Sequence, residues 1–231
     1  MPKSSVPVPA SPAQFSVSVE DYLKAIYHLT EGGEAASTNA IAQRLAIAAP
    51  SVSGMVKRLA EQGLVRHVPY KGAELTPPGR RVALRTVRRH RIVEAYLVAF
   101  LGYDWGGVHA EAERLEHAVS DDLIERMAQA LGNPSVDPHG DPIPAPDGSI
   151  AEAVYTPLTE LAEGAATVRR VQAEDAERLR YLAAIGLVPG AAVTVLARAP
   201  FAGPVTVEVG GQAHVVGHQL GAQVLCLPEG A

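Results

Sequence analysis

Apolar residues first recur at helical spacing in SVSVEDYLKAIYHLT (16–30), where Val19, Tyr22, Leu23 and Ile26 share one face and Ser18 is placed to cap the helix. TNAIAQRLAI (38–47) reads as a short second helix, and PSVSGMVKRLAEQG as a third, with Pro50 suited to its first turn and Gly63 to its stop. That succession is the helix-turn-helix pattern. In the third helix Val52, Val56 and Leu59 form the apolar stripe, so Ser51, Ser53, Gly54, Lys57 and Arg58 face partly or wholly outward. LVRHVPYKGAELTPPG follows as two short β runs around a Tyr-Lys-Gly turn, which predicts a wing ahead of the next helix.

Helical spacing resumes over about 79–101, again over roughly 107–119, and once more over 121–131. Residues 133–157 then hold six prolines with little periodicity and read as a linker. Beyond it TVRRV, AAVTVLA, VTVEVGG and QAHVVG alternate like short strands around one helical piece, DAERLRYLAAIG, the pattern of a small SH3-like β-barrel. The expected fold class is mainly α with a small all-β domain. Its expected parts are a disordered Pro/Ser arm (1–15), a winged helix-turn-helix domain (16–78), a helical domain (79–132), the linker (133–157) and the SH3-like domain (158–231).

Composition narrows the setting. With 231 residues and 47% apolar content the chain has ample material for a core. The single cysteine, Cys226, leaves no disulfide framework and no thiolate metal site, and it reads as a buried strand residue. The first 15 residues have no apolar signal core, and no 18-residue apolar run occurs, so the expectation is a soluble cytoplasmic protein with no membrane segment.

The net charge of −5 argues at first against nucleic acid, but its distribution reverses the picture. Residues 1–103 carry +6 and residues 104–231 carry −11; between Arg44 and Arg91 stand 11 basic residues against only Glu61 and Glu74. A local patch attracts phosphates whatever the overall balance. Joined to the winged-helix pattern, it predicts double-stranded DNA as partner. Ser51, Ser53, Gly54 and Lys57, with Pro50 beside them, are placed for the major groove, and Ser37, Thr38, Arg58, Tyr70 and Lys71 for phosphates.

A second chemistry lies in VHAEAERLEH (108–117), with two histidines and three glutamates and no lysine. At about 100° per residue His109, Glu113, Glu116 and His117 fall at roughly 0°, 40°, 340° and 80°, beside the apolar face of Val108, Ala112, Leu115 and Val119. Unpaired anions at the edge of a buried face are costly, so a cation belongs there. On the preceding helix His90 and Glu94 share a face at i, i+4. Imidazole and carboxylate without sulfur favour harder divalent ions such as Mn(II) or Fe(II). His28, His67, His139, His214 and His218 have no partner at ligand spacing and read as ordinary histidines.

The winged helix, RRHRIVE, VHAEAERLEHAVSD, HGDPIP and LRYLAAIGLVPG, in that order over residues 16–228, resemble the diphtheria toxin repressor family of metal-dependent repressors of metal uptake. The resemblance implies homodimers that bind a palindromic operator, with residues 79–132 as the dimerisation and metal-binding domain and the C-terminal domain of FeoA type. It further implies a regulatory metal site of Asp21, Glu113, Glu116 and His117, and a second site of His90, Glu94 and His109. The SH3-like domain of relatives lends a ligand or two, for which Glu174 and Asp175 are candidates, with Glu177 behind them.

From the residues alone Asp21 is a first-turn carboxylate suited to a capping box or helix dipole; only the resemblance makes it a ligand. Carboxylates at Asp21 and Glu113, where the iron-responsive branch has methionine and cysteine, imply the manganese-responsive branch. Lys24 stands where compact manganese regulators carry a glutamate, which argues against a tight two-metal cluster. The expected function is a Mn(II)-activated repressor in which metal joins the DNA-binding and dimerisation domains. Fe(II) sensing is the near alternative and a metal-dependent hydrolase the distant one.

Overall fold

The computed structural model describes residues 15–68, 71–151, 153–173 and 175–229. Tyr70, Glu174 and the expected arm up to residue 14 therefore lie outside the described residues. The chain divides into two compact units, with the boundary between Leu84 and Arg85.

In the first unit α1 (Val17–Thr30) buries Val19, Tyr22, Leu23 and Ile26, as the spacing predicts, and Tyr27 besides. It starts earlier than expected: Ser16 takes the cap position, with no side-chain cap bond, and Ser18 lies inside the helix. The acidic residue of the first turn is Glu20, so Asp21 sits beyond it and the capping role expected of Asp21 does not apply. Ser37 caps α2 (Thr38–Arg44) by accepting a hydrogen bond from Ala40 N at 3.1 Å. In α3 (Ala49–Glu61) Pro50 occupies the first turn, Val52, Val56 and Leu59 are buried, and Gly63 beyond the end adopts φ 71°.

Strands β1 (Val65–Val68) and β2 (Gly72–Leu75) pair antiparallel from Val65↔Leu75 to Val68↔Gly72, forming the wing. Ala36 adds a bridge to Ala73. There the backbones touch: a Cβ at Gly72 would stand 2.0 Å from the Ala36 carbonyl oxygen, which only glycine at φ 131° avoids. Helix α4 (Pro77–Leu101) begins two residues before the expected Gly79, because Pro77 and Pro78 fit a first turn whose N–H groups need no partner. Thr76 Oγ1 accepts from Gly79 N at 3.2 Å at this end.

The second unit holds the remainder of α4, α5 (Val108–Leu115) and α6 (Asp121–Ala130), whose core comprises Ile92, Val93, Leu97, Val108, Ala112, Ile124 and Ala128. Helix α5 stops at Leu115 rather than 119. The next residues continue as turns closed by Ala118 N and Val119 N onto Leu115 O. Ile143, from the stretch read as a linker, joins this core, and Asp137, His139, Gly140 and Pro144 are buried with it. Proline content suggested a spacer, but here the prolines shape a folded loop pinned by Arg88 and Arg91, which donate to the carbonyls of Pro144 and Pro142.

The β-domain consists of β3 (Thr156–Pro157), β4 (Gly164–Val171), α7 (Ala176–Ala184), β5 (Ala192–Arg198), β6 (Val205–Val209), β7 (Gln212–Val216), α8 (His218–Gly221) and β8 (Val224–Pro228). Its sheet is antiparallel in the order β3-β8-β4-β5-β6-β7. The alternating valines of the four recognised strands point inward with Leu179 and Leu182 of α7. Cys226 of β8 is fully buried in this core, and burial pushes its thiol up to about 12.

Candidate metal centre and nucleic-acid interface

On α3 the residues between the buried valines are presented to solvent: Pro50, Ser51, Ser53, Gly54, Lys57 and Arg58 are all exposed. Ser37 and Lys71 are exposed and Thr38 half-buried. Of the predicted phosphate contacts, Ser37 is partly engaged as the cap of α2.

The basic run itself needs correction. Arg85 and Arg89 both donate to Asp121 at the start of α6, Arg88 grips Glu125 at 2.9 and 3.0 Å, and Arg91 lies 3.2 Å from Asp141. Burial would raise the Asp121 carboxyl, but the hydrogen bonds and charges of Arg85 and Arg89 hold it below its usual value. Four of the eleven basic residues therefore fasten α4 to α6 and to the 137–144 loop instead of facing a polyanion. A sequence count of charge cannot see partners some 32–50 residues away.

The acidic-imidazole stripe converges on one ring. His90 Nδ1 donates to Glu116 Oε2 at 2.6 Å, while Nε2 lies 2.9 Å from Glu94 Oε1 and 3.0 Å from His109 Nδ1. Glu113 Oε1 is 3.8 Å from His90 Nδ1 and 3.6 Å from His109 Nε2, and Glu116 Oε1 is 3.2 Å from His117 Nε2. The two expected ligand sets thus run into each other: His90, His109 and Glu113 offer ligand atoms within 4.8 Å of one another. Because α5 ends at Leu115, Glu116 turns fully inward while Glu113 remains 43% exposed on its side chain.

Glu94, expected beside His90 and His109, also belongs to a buried group with Asp137 and His139. Burial alone would raise the Glu94 carboxyl; the charge of His90 and the hydrogen bonds of His109, His139 and His90 outweigh it and hold the group well below the usual range. Burial works against a charged His139, but its hydrogen bond to Glu94, the Glu94 and Asp137 charges and the Trp105 carbonyl together raise it. Asp137 Oδ1 accepts from His139 N at 2.8 Å and Asp141 N at 3.0 Å, which fixes the loop. Burial and the charges of Asp141 and Glu94 raise its carboxyl to about 7 against the pull of Arg91 and His139.

His139, read from sequence as ordinary, is therefore part of the candidate centre, and Asp137 was not anticipated at all. Both lie on an irregular loop where no periodicity marks a shared face; the signal was DPHGDPIP (137–144), with three polar residues, Asp137, His139 and Asp141, set among prolines. Asp175 does the reverse. It is exposed and caps α7, accepting from Arg178 N at 2.9 Å, and it joins none of the ligand groups among the described residues. The β-domain reaches the loop by other means: Val171 N donates to His139 O at 2.8 Å, Arg170 pairs with Asp141, and a Cβ on Gly140 would stand 2.0 Å from Arg169 O. Every donor in these groups is imidazole nitrogen or carboxylate oxygen, which fits Mn(II) and Fe(II).

Asp137 supplies a test with opposed outcomes. Asn at this position keeps Oδ1 for the two backbone donors and removes the costly ionisation. In chelator, Asp137→Asn gains stability over the parent as pH rises from about 4, where an unfolded aspartate ionises, and the gain levels off above about 7. Its size is on the order of 4 kcal/mol, a window of about three pH units at about 1.4 kcal/mol per unit. The same change weakens metal uptake. Thermal unfolding against pH, paired with metal titration, measures both; a variant destabilised at pH 8 contradicts the assignment.

A winged helix followed by a helical unit rich in metal-ligand side chains defines the class of a metal-responsive DNA-binding regulator. Residues 14–73 match the iron dependent repressor N-terminal DNA binding domain, residues 76–145 the iron dependent repressor metal binding and dimerisation domain, and residues 156–227 the FeoA domain. The iron-dependent repressor IdeR of Mycobacterium leprae is 39% identical over 191 residues, 77% of this chain and 83% of that protein. The diphtheria toxin repressor of Corynebacterium diphtheriae is 38% identical over 130 residues, 56% of this chain and 58% of that one. A solved manganese-dependent transcriptional repressor in complex with manganese aligns with TM-score 0.85 at 41% identity, covering 91% of this chain and 99% of its own. The chain belongs to the iron-dependent, or diphtheria toxin, repressor family. It is a metal-dependent DNA-binding repressor by family, and the hydrolase alternative falls, since these relatives are repressors. No helix among the described residues is long and apolar enough to cross a membrane.

Proposed function

We propose that the protein is a cytoplasmic, Mn(II)-responsive homodimeric repressor of metal-uptake genes that binds a palindromic operator. The observation that carries this reading is the sulfur-free donor set around His90 in one unit, together with an exposed, hydroxyl-rich recognition helix in the other. The regulatory site comprises Asp21, Glu113, Glu116 and His117, and the further sites draw on His90, Glu94 and His109, with Asp137 and His139 added and Asp175 set aside. The DNA-binding region spans 16–78, the dimerisation and metal-binding region begins at 79 and takes in the loop 137–144, and the β-domain spans 158–231. Exposed Phe100, Leu101 and Leu123 supply apolar surface for a second copy.

A bound divalent cation supplies the positive charge that lets these carboxylates approach one another. Asp21 belongs to the DNA-binding unit; Glu113, Glu116 and His117 belong to the other. Held together, they fix where each recognition helix stands in a two-fold dimer, so metal affinity and operator affinity are coupled and reciprocal. Oxygen at Asp21 and Glu113 favours Mn(II), and the likeness to a manganese-bound repressor supports it. The 39% identity to an iron-dependent repressor supports Fe(II) as the second reading.

The test is equilibrium binding to a duplex selected from a random pool, in chelator and with Mn(II) or anaerobic Fe(II). Binding is expected to need metal and to weaken steeply with salt. Arg58→Gln lowers the log–log salt slope by about one, whereas Arg88→Gln, whose guanidinium holds Glu125, leaves it unchanged. Affinity indifferent to chelator ends the proposal.

A further inference from the structure

A cavity of about 310 Å3 lies within the first unit, bounded by α2, α3 and the wing. Its walls are apolar: Ile41 and Val56 are buried, and Ala60 and Ala73 complete the lining. The space exists because small residues surround it, and the backbone contact between Gly72 and Ala36 prevents a side chain at position 72 from filling it. The rim carries the opposite chemistry. Lys57 from α3 and His67 from β1 are exposed there, and among the described residues neither has an ion-pair or hydrogen-bond partner. Thr38 adds a hydroxyl, and no carboxylate lines the cavity.

We propose that this cavity binds a small amphipathic carboxylate, its apolar body against Ile41, Val56, Ala60 and Ala73 and its anionic head between Lys57 and His67. An apolar wall with a few convergent polar groups at an open rim is the form of a small-molecule site, and this volume is at the lower end of the usual range of roughly 300–1,000 Å3. A bare phosphate satisfies the rim and wastes the walls; a neutral apolar molecule fills the walls and leaves two donors unused. An occupant covers Lys57 and Ser53, two of the residues assigned to the DNA groove. Ligand and operator therefore exclude one another, which gives the repressor a second input that acts without metal.

The probe is 4-fluorobenzoate, followed by fluorine NMR line broadening on the full chain in chelator and without DNA, so that failure here leaves the metal-responsive reading unaffected. Saturable binding of one molecule per chain is expected, and in a parallel titration with Mn(II) present duplex DNA displaces it. Ala60→Met fills the cavity from α3 and abolishes it. Lys57→Gln, a surface change that spares the core, weakens it roughly tenfold or more, the worth of one charge-assisted hydrogen bond, and the neutral 4-fluorobenzamide loses as much. Circular dichroism confirms that each variant is folded; should Ala60→Met fail to fold, Lys57→Gln and the amide decide. The proposal is overturned by absence of saturable binding, by a folded Ala60→Met that still binds, or by equal binding of the amide or to Lys57→Gln.

Discussion

Asp21→Ala removes metal activation of DNA binding: operator affinity measured with saturating Mn(II) falls by roughly 5–150-fold, toward the value in chelator, the span typical of coupling between two sites. The fold survives, because the apolar face of α1 is made by Val19, Tyr22, Leu23 and Ile26, and Asp21 is only half-buried. Dimerisation survives as well, since the residue belongs to the DNA-binding unit. With Glu20 in the first turn, the change costs little as a lost dipole interaction. Fluorescence anisotropy of a labelled duplex, with metal content measured on the same samples, gives the answer. A variant that responds normally to Mn(II) removes Asp21 from the regulatory site.

Replacing Asp21 with Met and Glu113 with Cys reverses the metal preference. The double variant loses activation by Mn(II) and keeps or gains it with Fe(II) or Co(II), because two hard oxygen donors become soft sulfur and the site loses negative charge. Raw affinity in the parent still follows the Irving–Williams order, so selectivity shows in activation rather than in tightest binding. Glu113 is well suited to the exchange: its side chain is 43% exposed and reaches both His90 and His109, so a thiol can enter without opening the core. Titrating DNA binding with each ion for both proteins decides it. A double variant still activated best by Mn(II) shows that these positions do not set the preference.

The elements that repeat at a fixed period were legible. Val52, Val56 and Leu59 announced α3 and its exposed face, and the alternating valines announced four strands of the β-domain. The stripe of His109, Glu113, Glu116 and His117 was legible as a cluster, but its partition was not. The end of α5 at Leu115 depends on packing, and it sends Glu116 to His90. What escaped was what depends on distance along the chain. The arginines of α4 look like a phosphate-binding face until Asp121, Glu125 and Asp141 are placed against them. The prolines of 133–157 look like a spacer until Ile143 enters the core. Asp175, conversely, was a candidate only because the resemblance implies a ligand from the β-domain; its carboxylate caps α7, a role its place just ahead of a helix could have announced.

Trp105, the sole tryptophan of the chain, stacks on His139 with ring centroids 5.1 Å apart and donates its indole N–H to the Pro138 carbonyl at 2.8 Å. The chromophore thus rests on one of the imidazoles of the Glu94, Asp137 and His139 group, and no other indole dilutes its signal. Ions with partly filled d shells quench indole emission at close range, whereas Zn(II) and Cd(II) do not share that property. The protein therefore carries its own optical gauge of a metal arriving beside His139, without a label or a dye.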